Sequence, residues 1–228
     1  MTIQITKPAL YAAAMRFAAK SEARPYLEAV AVQPRDGGGV TIISTDGHRM
    51  FVGIDESATW HGKPAHDCLF AVQKQKMPVS AFNADCLLLD GTTATFCGGV
   101  DEQAKPLLIN HIEQAESIGH KQTFPDWTRV LPDPKADTVP LDAHSFNADY
   151  IADFGDVQKR LNGRKAMPFV ARATGGDPAL VSLGRDDCFG VLMPMRIGAA
   201  YDTGHGPALD ALRAVAPNKF IETKEVAA

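Results

Sequence analysis

Ile3 and Ile5 alternate with polar neighbours at the start of the chain, the period of a half-buried strand. Thr6 stands at an N-cap position with Pro8 just inside the helix that follows. Leu10, Ala14 and Phe17 recur at helical spacing and give that helix an apolar stripe. After Arg24-Pro25 a strand is predicted over Tyr26 to Val32. A glycine turn follows at Asp36-Gly37-Gly38-Gly39, then strands over Val40 to Ser44 and Met50 to Ile54.

The stretch from Lys63 to Ile118 is similar but less regular. Cys68 to Val72 reads as a strand, and Lys74 to Phe82 carries Pro78 and supports only a short or broken helix. Cys86 to Leu89 and Thr92 to Phe96 flank Asp90-Gly91, a hairpin signal, and Leu107 to Ile112 supplies another strand. Phe124 to Pro140 holds Pro125, Pro132, Pro134 and Pro140 and marks the best boundary in the chain. Beyond it the first pattern returns. Val139-Pro140-Leu141 precedes a helix with Phe146, Tyr150, Phe154, Val157 and Leu161 on one face, followed by strands over Pro168 to Ala173, Ala179 to Leu183 and Phe189 to Met195. The chain thus reads as three strand-helix-strands units, the middle one degenerate: an α+β fold of antiparallel sheets with helices on one face. The expected organisation is two units over residues 1–123, a linker over 124–140, a partial unit over 141–199 and a C-terminal extension over 200–228, in which Pro207 to Ala216 forms a short amphipathic helix.

Composition narrows the function. With 45% hydrophobic and 22% charged residues the chain is an ordinary globular protein. No apolar run is long enough to cross a bilayer and the first residues lack a leader pattern, so a cytoplasmic protein without membrane association is expected. The four cysteines form no CxxC pair, which points to buried thiols rather than a metal site. A net charge of −4 argues against a tight nonspecific binder of nucleic acid, whose phosphate contacts come from Lys and Arg, but leaves room for one DNA-facing surface. Nucleophile elbows, phosphate loops, zinc-protease helices and dinucleotide turns are all absent, so no catalysis, cofactor or metal is expected. In Asp46-Gly47-His48 the histidine reads as a turn-shaping or surface-contact residue, because no third ligand lies nearby in sequence.

Three separated motifs carry more. Arg24-Pro25-Tyr26-Leu27-Glu28-Ala29-Val30, with Ser44-Thr45-Asp46-Gly47-His48-Arg49-Met50, resembles the second domain of the bacterial DNA polymerase III beta sliding clamps. Phe124-Pro125-Asp126-Trp127-Thr128-Arg129-Val130-Leu131-Pro132 resembles that family's linker between second and third domains. Phe146-Asn147-Ala148-Asp149-Tyr150 and Val191-Leu192-Met193-Pro194-Met195-Arg196-Ile197 resemble its third-domain helix and C-terminal strand. Their order matches over about residues 3 to 197.

The resemblance implies a processivity factor of DNA replication: a ring of repeated units with helices lining a central hole, holding double-stranded DNA by topology. It also implies a hydrophobic groove where polymerases and repair proteins dock short peptides. Carried over by position, the groove uses Leu27, Thr45, Gly47, His48, Arg49, Met50, Pro125, Arg129, Val130, Asn147, Tyr150, Val191, Leu192, Met193, Pro194, Met195 and Arg196. Met193 and Met195 are flexible and polarizable, which suits one groove to several apolar peptides. His48, Arg49, Arg129 and Arg196 offer donors to peptide carbonyls or a C-terminal carboxylate. Taken alone, the Val191 to Ile197 stretch reads as an ordinary core strand, and its partner motifs reverse that balance. For DNA the resemblance points to Arg24 and Tyr26. Arg16, Lys20, Lys159 and Arg160, with Arg164 and Lys165 just beyond, are generic phosphate-contact candidates whose placement near helix C-termini equally suits the helix dipole.

The sequence also departs from the family. The motifs leave no place for the family's first domain or for the first unit of its third, which the family uses for subunit contacts. Two readings follow. A minimal clamp, as of a phage or mobile element, would close its ring as a homo-oligomer of about four chains. A non-ring module would instead display the groove to recruit or sequester clamp-binding proteins.

Overall fold

The alternation of Ile3 and Ile5 does form a strand that buries both side chains, and a helix starting at Pro8 follows it. The computed structural model of the chain describes residues 2–20, 24–62, 68–71, 79–90, 93–98, 114–116, 124–132, 145–163, 168–172 and 178–195. Met1–Pro194 forms one compact unit and Met195–Ala228 a second, of which Met195 alone is described. The described strands are β1 (Thr2–Ile5), β2 (Ala29–Pro34), β3 (Val40–Thr45), β4 (Arg49–Asp55), β5 (Thr59–His61), β6 (Cys68–Ala71), β7 (Cys86–Asp90), β8 (Thr93–Cys97), β9 (Gln114–Glu116), β10 (Val170–Arg172), β11 (Ala179–Ser182) and β12 (Cys188–Leu192). The helices are α1 (Pro8–Ala14), extended by a 3₁₀ turn over Met15–Phe17, and α2 (Ala148–Leu161).

The strands pair antiparallel into two sheets, ordered β5-β1-β7-β8-β9 and β10-β11-β12-β4-β3-β2-β6. In the second sheet β12 lies against β4 with Val191 opposite Met50, so strands from either side of the proline-rich stretch share one sheet. Because neighbouring residues point to opposite faces, this sheet has two apolar surfaces. Val30, Val32, Val40, Ile42, Phe51 and Leu192 pack with Leu10, Phe17, Phe154 and Val157 of the helical layer. Ala29, Ala31, Ile43, Met50, Val52 and Val191 form a second cluster on the other face, where Phe124, Trp127 and Leu131 cover them. Trp127 Nε1 donates to Gln33 Oε1 at 3.1 Å, which fixes the covering segment to β2.

Several local expectations are corrected. Thr6 does not cap α1 with its own side chain. The buried Asp55 carboxylate of β4 accepts the Thr6 and Lys7 N–H groups at 2.7 and 2.9 Å, and Thr6 Oγ1 donates to the same carboxylate. Tyr26 and Leu27 belong to a 3₁₀ turn over Pro25–Glu28, as Pro25 is preset for the first position of such a turn, and β2 starts only at Ala29. β7 runs one residue further than predicted, through Asp90, which pairs with Thr93 at the start of β8. β5 was not anticipated. Leu107 to Ile112, Val139 to Leu141 and Pro207 to Ala216 lie outside the described residues.

An ion cluster ties the start of α1 to the turn between β11 and β12. Lys7 Nζ contacts Asp187 Oδ2 at 2.9 Å, and Arg185 binds Asp187 through Nε and Nη2, both at 2.7 Å. These partners, Arg185 foremost, hold the Asp187 carboxyl down at about 2. Its folded value lies below the usual carboxylate range, so this stabilisation is present above about pH 4 and is lost as pH falls from there toward 2. Urea unfolding of wild type and Asp187→Asn should therefore differ at pH 6 and converge near pH 2. A difference that persists at pH 2 would count against the ionic origin.

Candidate functional site

On the face of the seven-stranded sheet away from the helices, the second apolar cluster opens into a concavity of about 200 Å³. Its lining comes from four separated stretches: Arg24, Tyr26 and Leu27; Thr45, Gly47, Arg49 and Met50; Pro125, Asp126, Trp127 and Val130; and Val191 with Met193.

Each stretch is locally fixed. In the Pro25–Glu28 turn, Leu27 N–H donates to Arg24 O at 2.9 Å and Leu27 O accepts from Ala19 N–H at 2.8 Å. Between β3 and β4 the chain reverses at Gly47, whose φ of 89° favours glycine. Thr45 Oγ1 accepts from Gly47 N–H at 3.0 Å and donates to Arg49 O at 2.7 Å, while Asp46 Oδ1 accepts from the His48 and Arg49 amides at 2.9 and 3.1 Å. Met193 N–H donates to His48 O at 2.8 Å, which anchors the end of β12 to the same turn. The linker supplies a 3₁₀ turn over Trp127–Val130. Asp126 caps it by accepting from Thr128 N–H and Oγ1 and from Arg129 Nε, and Thr128 foremost holds the Asp126 carboxyl below its ordinary value.

Arg49 is the buried cation of the site, with a side chain 6% exposed. Nε donates to Asp46 Oδ2 at 3.0 Å, Nη1 to Asp153 Oδ2 at 2.6 Å and Nη2 to Arg16 O at 3.4 Å. Its guanidinium carbon lies 4.5 Å from the Tyr150 ring centroid and 5.2 Å from that of Phe17. The expectation that Arg49 offers free donors to a peptide is therefore corrected, since its charge is neutralised within the fold. Chemically, the concavity offers an apolar floor with a polar margin, the arrangement that accepts aliphatic or aromatic side chains of an extended segment.

Of the groove candidates, Leu27, Thr45, Gly47, Arg49, Met50, Pro125, Val130, Val191 and Met193 line this concavity. Leu192 does not, because strand alternation sends its side chain into the helix-side core, where it is fully buried. Tyr150 and the exposed His48 stack at 6.1 Å, with the Arg49 guanidinium over the Tyr150 ring, and neither lines the concavity. Asn147 caps α2, its Oδ1 accepting from Asp149 N–H at 2.9 Å. Arg129 is exposed and bound to Asp126, Pro194 is half-buried, and Met195 is 51% exposed. Arg196 lies outside the described residues. The sequence candidates omitted Asp126 and Trp127. The signal for Trp127 was present, a large aromatic inside a proline-rich linker.

The candidate DNA-facing residues are dispersed. Arg24 and Tyr26 line the same concavity. Arg16 is paired with Asp153 and Asp156 at 3.4 and 3.1 Å. Arg160 binds Asp156 at 3.0 Å and lies over Phe82. Lys20 and Lys159 are exposed, and Arg164 and Lys165 lie outside the described residues. Among the described residues no helix is long and apolar enough to cross a membrane.

Neither a family model nor a curated protein matches the sequence. Solved structures do. The DnaN sliding clamp (DNA polymerase III subunit beta) from Bartonella birtlesii, bound to griselimycin, aligns with a TM-score of 0.54 at 17% identity over 86% of this chain and 66% of its own. The DNA polymerase sliding clamp from Caulobacter crescentus gives 0.53 at 18% identity, covering 86% of this chain and 65% of that one. The DNA polymerase III beta subunit from Thermotoga maritima gives 0.51 at 10% identity with the same coverages, 86% and 65%. The chain thus spans less than two thirds of the length of these structures. At these identities the likeness concerns architecture: the chain has the sliding-clamp fold of the DNA polymerase III beta subunits over 65–66% of their length.

Proposed function

We propose that the protein is a sliding-clamp-like factor of DNA replication, without catalysis of its own, that docks short peptide segments of polymerases and repair proteins in the concavity. The observation that carries this reading is the convergence of four separated stretches on one apolar-floored cavity in a clamp fold. Met50 and Met193 give that floor an adaptable surface, which suits several partners. A cavity of this kind binding an extended peptide is expected to work at roughly micromolar strength, about −8 kcal/mol. As a clamp the protein would encircle duplex DNA as a closed oligomer of about four chains.

A non-ring module that recruits or sequesters clamp-binding proteins is the second reading. It is favoured by the pairing of Arg16 and Arg160 with carboxylates of α2, which leaves less free positive charge on the helical layer for phosphates.

Titration with fluorescein-labelled octapeptides bearing one or two Leu, Met or Phe residues, and with griselimycin, tests the shared claim. Saturable binding by at least one probe is expected, and none at 1 mM, far above the expected Kd of about micromolar, would overturn peptide docking. Light scattering over a concentration series separates the two readings. A discrete oligomer of several 24.5 kDa chains favours the ring, and a monomer throughout favours the module.

A further inference from the structure

We infer that Asp153 is a positioning residue of the concavity, acting through Arg49 from outside the lining; this rests on the peptide-docking reading above. Arg49 has two carboxylate partners of different kinds. Asp46 sits three residues away in the same turn and moves with it. Asp153 belongs to α2, 104 positions along the chain, and makes the shorter contact at 2.6 Å. Together with Tyr150, one helical turn before it, Asp153 attaches the β3–β4 turn to the third repeat.

The attachment bears on the cavity because the turn it holds carries Thr45 and Gly47 of the lining and the His48 carbonyl that accepts from Met193 N–H at 2.8 Å. A guanidinium 6% exposed stays buried only while carboxylates and hydrogen-bond acceptors offset its lost hydration. Without the Asp153 charge, the guanidinium, which lies on the helix side of β4 opposite Leu192, is under-compensated and turns toward the water beside α2, so the turn loses its tie to that helix. Thr45, Gly47 and the anchor of Met193 then move with the turn, and the rim of the concavity is no longer held. That movement weakens docking of an apolar side chain. Asp153 also faces Arg16 at 3.4 Å, but Arg16 keeps Asp156 at 3.1 Å as a second partner, so Arg49 is the group most affected.

The test is a double-mutant cycle on the labelled octapeptide that binds wild type best, read as Kd at a temperature where circular dichroism shows every variant folded. Asp153→Asn is expected to weaken binding about tenfold, and Asp153→Glu, which keeps the charge, to recover to within about threefold of wild type. Asp156→Asn, which removes partners of Arg16 and Arg160 but none of Arg49, should bind like wild type. In an Arg49→Met background, adding Asp153→Asn should produce no further loss, because a residue acting through Arg49 has nothing left to hold. A Kd for Asp153→Asn within twofold of wild type would overturn the inference, as would losses that multiply in the double variant. If wild type binds no octapeptide and no griselimycin, the docking reading itself falls, an outcome distinct from wild-type binding that Asp153→Asn leaves intact.

Discussion

Replacing Phe154 by alanine should lower the unfolding free energy by about 3–5 kcal/mol, the range for truncating a buried aromatic ring. The ring is 1% exposed and its centroid lies 4.7 Å from that of Phe17, which stacks in turn on Phe51 at 5.7 Å. This row joins α2, the end of α1 and β4. On its sheet side the Phe154 ring rests directly on Gly190 of β12, where an added methyl group would lie 2.8 Å from ring atom Cζ and closer still to Cε1. Contacts that close do not occur, so Gly190→Ala forces the ring or the strand to move and is also destabilising in wild type. The two changes are coupled, since removing the ring creates the space that the methyl needs. Urea unfolding should show that Gly190→Ala costs less in the Phe154→Ala background than in wild type. Strictly additive costs would mean that the ring does not seat on that glycine.

A comparable loss, this time in binding, is expected at Met193. Its side chain lines the concavity beside Val191 and Met50, and its backbone N–H donates to His48 O at 2.8 Å. Met193→Glu places a carboxylate where a docked peptide would exclude water. The nearby buried cation cannot answer it, because Arg49 is already held by Asp46 and Asp153. Desolvating an unpaired carboxylate should weaken the labelled octapeptide about 100-fold, close to 3 kcal/mol, whereas Met193→Leu should stay within about threefold. Fluorescence anisotropy gives both values, and thermal unfolding should move little because the residue is only half-buried. Unaltered affinity in Met193→Glu would place the docking site elsewhere.

The elements most legible in the sequence were those whose own side chains carry the period. Tyr150, Phe154, Val157 and Leu161 give α2 its stripe, and the apolar runs of β3, β4, β7 and β8 are recovered within a residue or two at each end. What escaped depends on partners far along the chain. β5 has only Trp60 between two polar residues and exists because β1 pairs with it. The partner of the amides that lead into α1 is Asp55, nearly fifty residues downstream. Within the candidate site, alternation alone separates Val191 from Leu192, a distinction that transfer by motif overlooked. The neutralisation of Arg49 by Asp153 could not be read locally, because nothing near Arg49 signals a carboxylate on α2.

The pairing of β4 with β12 also governs when the concavity can exist. Met50 and Val191, opposite each other in that pair, are separated by about 140 residues. Contacts so remote in sequence form only after a large loop closes, and they slow folding relative to local structure. On the ribosome the first half of the cavity, from Arg24 to Met50, would emerge long before Val191 and Met193. A nascent chain therefore holds no finished concavity until the strand that carries Val191 and Met193 has been made and paired with β4.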